Sequence, residues 1–199
     1  MAPRSAGSGT WTDVANLPSF TEYGPWEPQL LTDGTVLVLD AGTSQWYKLT
    51  PDSKGNYTDG TWSAIAPMPS TDCPLYFAAQ ILPDGRFIEN GGEYNVCGSG
   101  ESTAGAVYDP VANGWTSVAA PSGWQYIGDA DSIVLPNGTY MLAECCNSNQ
   151  ALAFDQRHQG DVDGADRLWQ QQRRGLDAAA RRKCPDSGCL EHRQQLRRL

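Results

Sequence analysis

Few residues in the first 155 positions are of a type and placement that could do chemistry. Asp129 and Asp131 stand one residue apart in Gly128-Asp129-Ala130-Asp131-Ser132. Paired carboxyls could serve glycoside hydrolysis if they faced each other at about 5 to 10 Å, or contribute oxygens to a Ca²⁺ site. Glu22, Glu27, Glu93 and Glu144 fall at strand ends or in connecting loops, where acids ordinarily cap turns or stay solvated. Nucleophilic catalysis of the Ser-His-Asp or Cys-His kind needs an imidazole. Both histidines, His158 and His192, lie beyond residue 155, so the body holds no histidine base and no histidine metal ligand. No catalytic residue, cofactor or metal ligand is assigned. Aromatic side chains are the better candidates. Trp26, Tyr94, Trp124 and Tyr126 lie in loops near glycine or proline, where sugars or peptides could stack, and Phe20–Trp26 is the loop to mutate first. The expected ligand-contact set is Glu22, Tyr23, Trp26, Tyr94, Trp124, Tyr126, Asp129 and Asp131, with a protein or carbohydrate as ligand.

Strands and tight turns must position these loops. Leu30–Val38, Ile81–Ile88 and Val134–Leu142 each read as a short apolar strand, an Asp-Gly or Asn-Gly turn and a second apolar strand. Their turn glycines Gly34, Gly85 and Gly138 are 51 and 53 residues apart, and Trp11-Thr12, Trp62-Ser63 and Trp115-Thr116 keep the same two spacings. Two independent markers with one spacing make a repeat, and a strand repeat of roughly 50 residues points to propeller blades. Asp-Gly and Asn-Gly suit the two central positions of a type I′ turn, so each copy reads as a two-residue hairpin. Val36-Leu37-Val38-Leu39 is apolar without alternation, as a strand covered on both faces should be. The recurring tryptophans read as packing between blades.

The middle repeat adds Asn90-Gly91-Gly92-Glu93, Ala106-Val107-Tyr108-Asp109-Pro110 and Gly114-Trp115, with six residues between Tyr108 and Trp115. A glycine pair closing a strand, then Tyr and Trp at this spacing, resembles the kelch repeat. Leu-Pro-Asp-Gly with Gly-Gly-Glu and Tyr-Asp-Pro looks like kelch propellers of the galactose-oxidase-like superfamily. The resemblance covers about residues 10 to 155 and is weaker in the first repeat, where Leu49–Asp59 is an insertion. It implies an all-β fold. Copper oxidases of the galactose-oxidase type hold their metal on two tyrosines and two histidines, with a Cys–Tyr crosslink. No segment here matches those motifs, so none of their residues is carried over.

Charge divides the chain. Residues 1–155 carry four Lys or Arg against 17 Asp or Glu, whereas residues 156–199 carry ten against six. The acidic body excludes nucleic acid and anionic membranes as expected partners. No apolar stretch approaches the length of a membrane helix, and Met1–Gly9 lacks the apolar core of a signal peptide. As written, the chain is expected in the cytoplasm, with free buried thiols as the default state of Cys73, Cys97, Cys145 and Cys146. Export of a longer parent would instead allow Cys73–Cys97 or a pair involving Cys145 or Cys146. It would also make the sequons at Asn56 and Asn137 relevant.

From Gln156 the repeat stops, and an Arg- and Gln-rich tail follows. Local propensity favours helix over Ala165–Arg174 and Leu176–Lys183, without an apolar stripe to dock it. Reading the codons from Asp155 one nucleotide later permits a Trp-Thr pair at codon 162 and a Leu-Leu-Pro-Asp-Gly turn with its glycine at codon 182. These follow Trp115 and Gly138 by 47 and 44 residues, where a fourth repeat is due. A one-nucleotide insertion or deletion near codon 155 is therefore expected. On this reading the tail is a non-native segment, helical or disordered. Cys184, Cys189 and His192 there do not make a zinc site, because paired Cys-x-x-Cys spacing is absent.

The resulting expectation is an all-β, kelch-type β-propeller fragment of about three blades. Residues 1–10 form a flexible N-terminus, 11–155 the blades and 156–199 the tail. The expected role is a binding or interaction module, an incomplete piece of a larger protein. The alternative is a fragment of a secreted, galactose-oxidase-like copper oxidase acting on carbohydrates or alcohols and lacking its copper site. Three blades cannot close a ring, so self-association through exposed blade faces is also expected.

Overall fold

The computed structural model describes residues 9–98 and 100–145, together with the backbone of residues 151–154. The expectations for the far N-terminus, Cys146 and the tail from residue 155 onward, including the shifted frame, lie outside the described residues. Residues Met1–Leu152 and Ala153–Leu199 form two compact units.

The described residues are all-β and carry the three repeats as three antiparallel sheets. The first sheet has the order β1 (Pro25–Leu30), β2 (Val36–Asp40), β3 (Trp46–Thr50), β4 (Thr61–Ala64). Between the first two sheets comes a short strand, β5 (Pro74–Leu75). The second sheet is β6 (Ala78–Ile81), β7 (Phe87–Asn90), β9 (Gly105–Asp109) and β10 (Gly114–Ser117), in that spatial order. The missing number belongs to β8 (Tyr94–Asn95), which leaves the blade to pair with β5. The third sheet holds β11 (Ser132–Val134), β12 (Tyr140–Ala143) and β13 (Ala151–Phe154).

The three hairpin turns are alike, and they differ from the type I′ expectation. Gly34, Gly85 and Gly138 have φ of 83°, 88° and 87°, while Asp33, Asp84 and Asn137 stay at negative φ. In each turn the glycine N–H donates to the carbonyl three residues back: Gly34 to Leu31, Gly85 to Leu82 and Gly138 to Leu135. Leu31, Leu82 and Leu135 in turn donate across the loop to Thr35, Arg86 and Thr139. This is a three-residue loop, a type I turn followed by a left-handed glycine. Pro83 and Pro136 suit it, because proline presets φ at the first central position of a type I turn. Asp33, Asp84 and Asn137 each turn a side-chain oxygen back to the amide two residues on, at 2.9, 3.1 and 3.1 Å. That oxygen is what selects Asp or Asn before the glycine.

Because β2 and β7 are covered on both faces, Leu37, Val38, Leu39, Phe87 and Ile88 are all buried. The core between the first two sheets joins Leu31, Leu37, Leu39 and Trp46 from one to Phe87, Ala106 and Tyr108 from the other. Trp46 sits at its centre, with ring centroids 5.0 Å from Phe87 and 5.8 Å from Trp115. Full burial of side chains of this size contributes roughly 1.5–3 kcal/mol each. Trp115 thus packs between blades as expected, the Trp62 ring meets Phe20 at 6.1 Å, and the Trp11 side chain is fully exposed.

The free-thiol expectation is overturned. Cys73 and Cys97 form a disulfide with a Cα–Cα distance of 5.3 Å, and Cys145 is disulfide-bonded as well.

Candidate functional site

An open cleft of about 500 Å³ lies beside the disulfide, lined by Tyr23, Trp26, Leu75, Tyr76, Tyr94, Asn95, Val96, Gly98 and Gly100. Three separated segments build it. The first is the turn that enters β1, where Gly24 at φ 75° reverses the chain and leaves Tyr23 half exposed. Its ring lies against Gly42, where a Cβ would come within 2.9 Å of Tyr23 Cδ2. The second is β1 itself. Its register against β2 slips between Trp26 and Gln29, and Glu27 takes φ 49°. This β-bulge bends the strand and so helps to set the direction of Trp26. The Glu27 carboxylate accepts from Gln29 Nε2 at 2.6 Å, which braces the bulge.

The third segment is the excursion between β5 and β8. Pro74 pairs with Asn95 and Leu75 with Tyr94, and the Cys73–Cys97 bridge clamps the ends. Asn95 braces the base: its Oδ1 accepts from the amides of Cys73 and Cys97 at 3.1 and 3.2 Å, and its Nδ2 donates to Thr71 O at 2.9 Å. Tyr76, at the end of β5, has φ 57°. A left-handed conformation is costly for a bulky residue, and here it turns the ring toward Trp26. The Trp26 and Tyr76 rings meet edge to face at 5.0 Å, and Tyr76 and Tyr94 at 6.2 Å. Tyr23, Tyr76 and Tyr94 keep 53%, 47% and 52% of their surface in water.

One rim is acidic. A hydrogen bond to the Glu93 carboxylate raises the Tyr94 hydroxyl pKa above its ordinary value, with smaller contributions from the Glu93 charge, slight desolvation, Tyr76 and Asp129. Among the described residues that line the cleft none is basic.

The structure therefore gathers Tyr23, Trp26 and Tyr94 from the expected contact set. Glu22 is exposed beside Tyr23, and Asp129 lies close enough to Tyr94 to act on its titration. The other three stand apart from the lining. Trp124 is buried with 9% of its surface accessible, and its amide closes a turn onto Pro121 O. Tyr126 is half-buried. Asp131 is exposed and accepts from the amide of Ser132 at 2.8 Å, so it acts as a turn cap. Sequence reading missed Tyr76, Asn95 and Val96; the Cys73-to-Cys97 spacing around them was the available signal.

A second polar feature lies inside. Glu89 on β7 is fully buried, Asp72 nearly so, and neither oxygen of Glu89 has a partner within hydrogen-bond geometry, the Ala106 amide giving only a small lowering of its pKa. Burial above all, then the charge of Asp72, raises the Glu89 pKa well above its ordinary value, and burial also raises that of Asp72. Burial beside another carboxyl therefore favours the protonated form of Glu89. Among the described residues no group of three or more His, Cys, Asp and Glu could hold a metal ion, and no helix is long and apolar enough to cross a membrane.

Over 156 residues the chain is 28% identical to the kelch-like protein terF of Aspergillus terreus (strain NIH 2624 / FGSC A1156), a match that covers 74% of this chain. The relative's name agrees with the sheets and repeats above. The fold is of the kelch-like propeller type. This chain spans 33% of the length of that relative. A solved structure of YjhT superimposes on 56% of this chain and 31% of its own, with a TM-score of 0.41 and 22% identity. No protein-family model matches the kelch-type sequence.

Proposed function

We propose that this chain is a binding module and that the cleft takes a neutral carbohydrate. The observation that carries the reading is the convergence of Tyr23, Trp26, Tyr76 and Tyr94, from three separate segments, on one open cleft. Exposed aromatic rings offer apolar faces to the C–H surfaces of a sugar, and the Glu93 and Asp129 carboxylates can accept from its hydroxyls. With no cation among the described lining residues, the cleft favours a neutral ligand over an anionic one. Calorimetric titration with a panel of neutral oligosaccharides tests the reading. Saturable binding by one of them is expected, with loss in Trp26→Ala and Tyr94→Ala. If no sugar binds while a Lys- or Arg-containing peptide does, the cleft is a protein-binding site and the carbohydrate reading fails.

A second reading concerns a longer parent. Kelch-type blades are also the framework that a galactose-oxidase-like oxidase would use, and the Cys73–Cys97 bridge supports an exported parent. The described residues do not fit a copper centre, so its ligands would have to come from elsewhere in the parent. The nucleotide sequence across codons 145 to 199 and beyond decides this: a restored frame supplying histidines and tyrosines supports it, and a frame closed by stops removes it.

A further inference from the structure

The outer tryptophans carry a relationship that the fold leaves open at one end. The Trp115 indole N–H, on outer strand β10, donates to the carbonyl of Ala66 at 2.8 Å, just beyond outer strand β4 of the preceding blade. The Trp62 indole N–H, on β4, donates to the carbonyl of Ala15 at 3.2 Å. Ala66 follows Trp62 by four residues, and Ala15 follows Trp11 by four. The segment from Trp11 to Ala15 thus stands to the first blade as Trp62 to Ala66 stands to the second. By that equivalence Thr10–Asp13 is the outer strand of a blade preceding the first. Among the described residues, however, no strand pairs with it, residues 9–13 are exposed, and the Trp11 ring is wholly in water. A hydrophobic ring with strand flanks and no sheet is an orphan edge.

Among the described residues the third blade offers a matching edge. The first two blades have four strands each, and the third, among the described residues, has three. In order of position the member not found among the described residues is the outermost, the one that carries Trp-Ser or Trp-Thr in its neighbours. We infer that residues Thr10–Asp13 of one copy complete the third blade of a second copy by antiparallel pairing along β13. The register follows from the second blade, where Trp115 pairs with Tyr108. Aligning Ala106-Val107-Tyr108 with Leu152-Ala153-Phe154 places Trp11 of one copy opposite Phe154 of the other. The contact is head to tail: the donor strand and the acceptor edge are different surfaces. Such contacts propagate unless the rotation closes them into a ring. Main-chain hydrogen bonds along the added strand supply affinity, and the Trp11 ring supplies the buried apolar area.

The test is the mass of the purified 199-residue chain in solution, followed by light scattering and sedimentation over a range of concentrations. The wild type is expected to rise with concentration to multiples of the monomer mass. Adjacent amides of a strand point to opposite edges, so Thr12→Pro/Asp13→Pro removes whichever donor faces the neighbour and should leave a monomer. Near-UV circular dichroism of the double variant confirms that the blades around Trp62 are intact. A free peptide of residues 9–16 should also lower the wild-type mass, which tests the edge without mutation. A wild type that stays monomeric, or an association that neither the folded double variant nor the peptide reduces, overturns the inference.

Discussion

Trp26 and Tyr76 meet edge to face, ring centroids 5.0 Å apart and planes at 88°. One ring comes from a bulged strand of the first blade, the other from the disulfide-closed excursion that precedes the second. Neither segment forms the cleft alone, and Tyr76 reaches the contact only through its left-handed backbone. Tyr76→Gly should separate geometry from stacking. Glycine takes φ 57° without strain, which offsets part of the lost ring contact, itself worth about 0.5–1.5 kcal/mol. The melting temperature is therefore expected to move little while affinity for the cleft ligand falls at least about tenfold, or about 1.4 kcal/mol. A large loss of stability with unchanged affinity would make Tyr76 a structural residue and not a ligand contact.

The Cys73–Cys97 bridge closes a loop with a sequence separation of 24. Chain-entropy reasoning gives about 3.5 kcal/mol for a loop of that length. Cys73→Ser/Cys97→Ser, measured by denaturant unfolding under non-reducing conditions, should lose roughly that amount. Binding should suffer beyond the stability loss, since Leu75, Tyr76, Tyr94 and Val96 all stand on the bridged segment. If the double variant unfolds at the same denaturant concentration as the wild type, the bridge does not constrain the folded chain.

The blades were legible in the sequence because two markers repeat in step, and each marker has a separate physical cause. The turn needs a glycine at positive φ, and the outer strand needs a tryptophan whose ring packs and whose N–H finds a carbonyl. The turn type was misread because Asp-Gly fits two turns. What distinguishes them here is the bonding of Leu31, Leu82 and Leu135 across the loop to residues 35, 86 and 139; the local signal was the proline before Asp84 and Asn137, which the first copy, with Thr32, lacks. Tyr23, Trp26 and Tyr94 were found because exposed aromatics near Gly and Pro are visible in composition. Tyr76 was not, since its exposure depends on a backbone conformation that no tyrosine advertises. Trp124 failed for the opposite reason: its loop looks exposed in sequence but folds inward. Asp72 and Glu89 lie 17 positions apart, one in the connection before β5 and the other on β7, so nothing local signals the pair.

Between the first two blades, the Trp46 indole N–H donates to the sulfur of Met68 at 2.9 Å, both side chains being buried. Trp46→Ala removes the ring that touches Phe77, Phe87 and Trp115 and should cost about 3–5 kcal/mol. Met68→Leu keeps the volume but strands a buried donor, an expected cost of about 1–3 kcal/mol. Urea unfolding of the two variants checks the order. A Met68→Leu protein as stable as wild type would show that the N–H has another acceptor.

Glu89 and Asp72 predict an unusual direction of pH dependence. An unfolded glutamate loses its proton near 4.5, whereas the buried Glu89 holds its proton to a much higher pH. Between those two values the folded chain binds more protons than the unfolded one, so stability falls as pH rises. The contribution is fully present below the unfolded value and is lost as pH climbs through the folded one. Asp33 and Asp84, whose pKa values are lowered by hydrogen bonds to Thr35 and Arg86 that outweigh a larger opposing burial effect, act in the other direction, but only in more acidic solution. Above about pH 5 they are ionised in both states and drop out. The melting temperature of the wild type should therefore decline from about pH 5 to about pH 8. Glu89→Gln keeps the shape, carries no titrating proton and can donate to Asp72. It should flatten that decline and melt higher than the wild type at the alkaline end. Glu89→Ala controls for the shape, because it removes the charge but leaves a cavity and should melt lower than Glu89→Gln throughout. Parallel pH profiles for wild type and Glu89→Gln would show that Glu89 does not hold its proton in the folded chain.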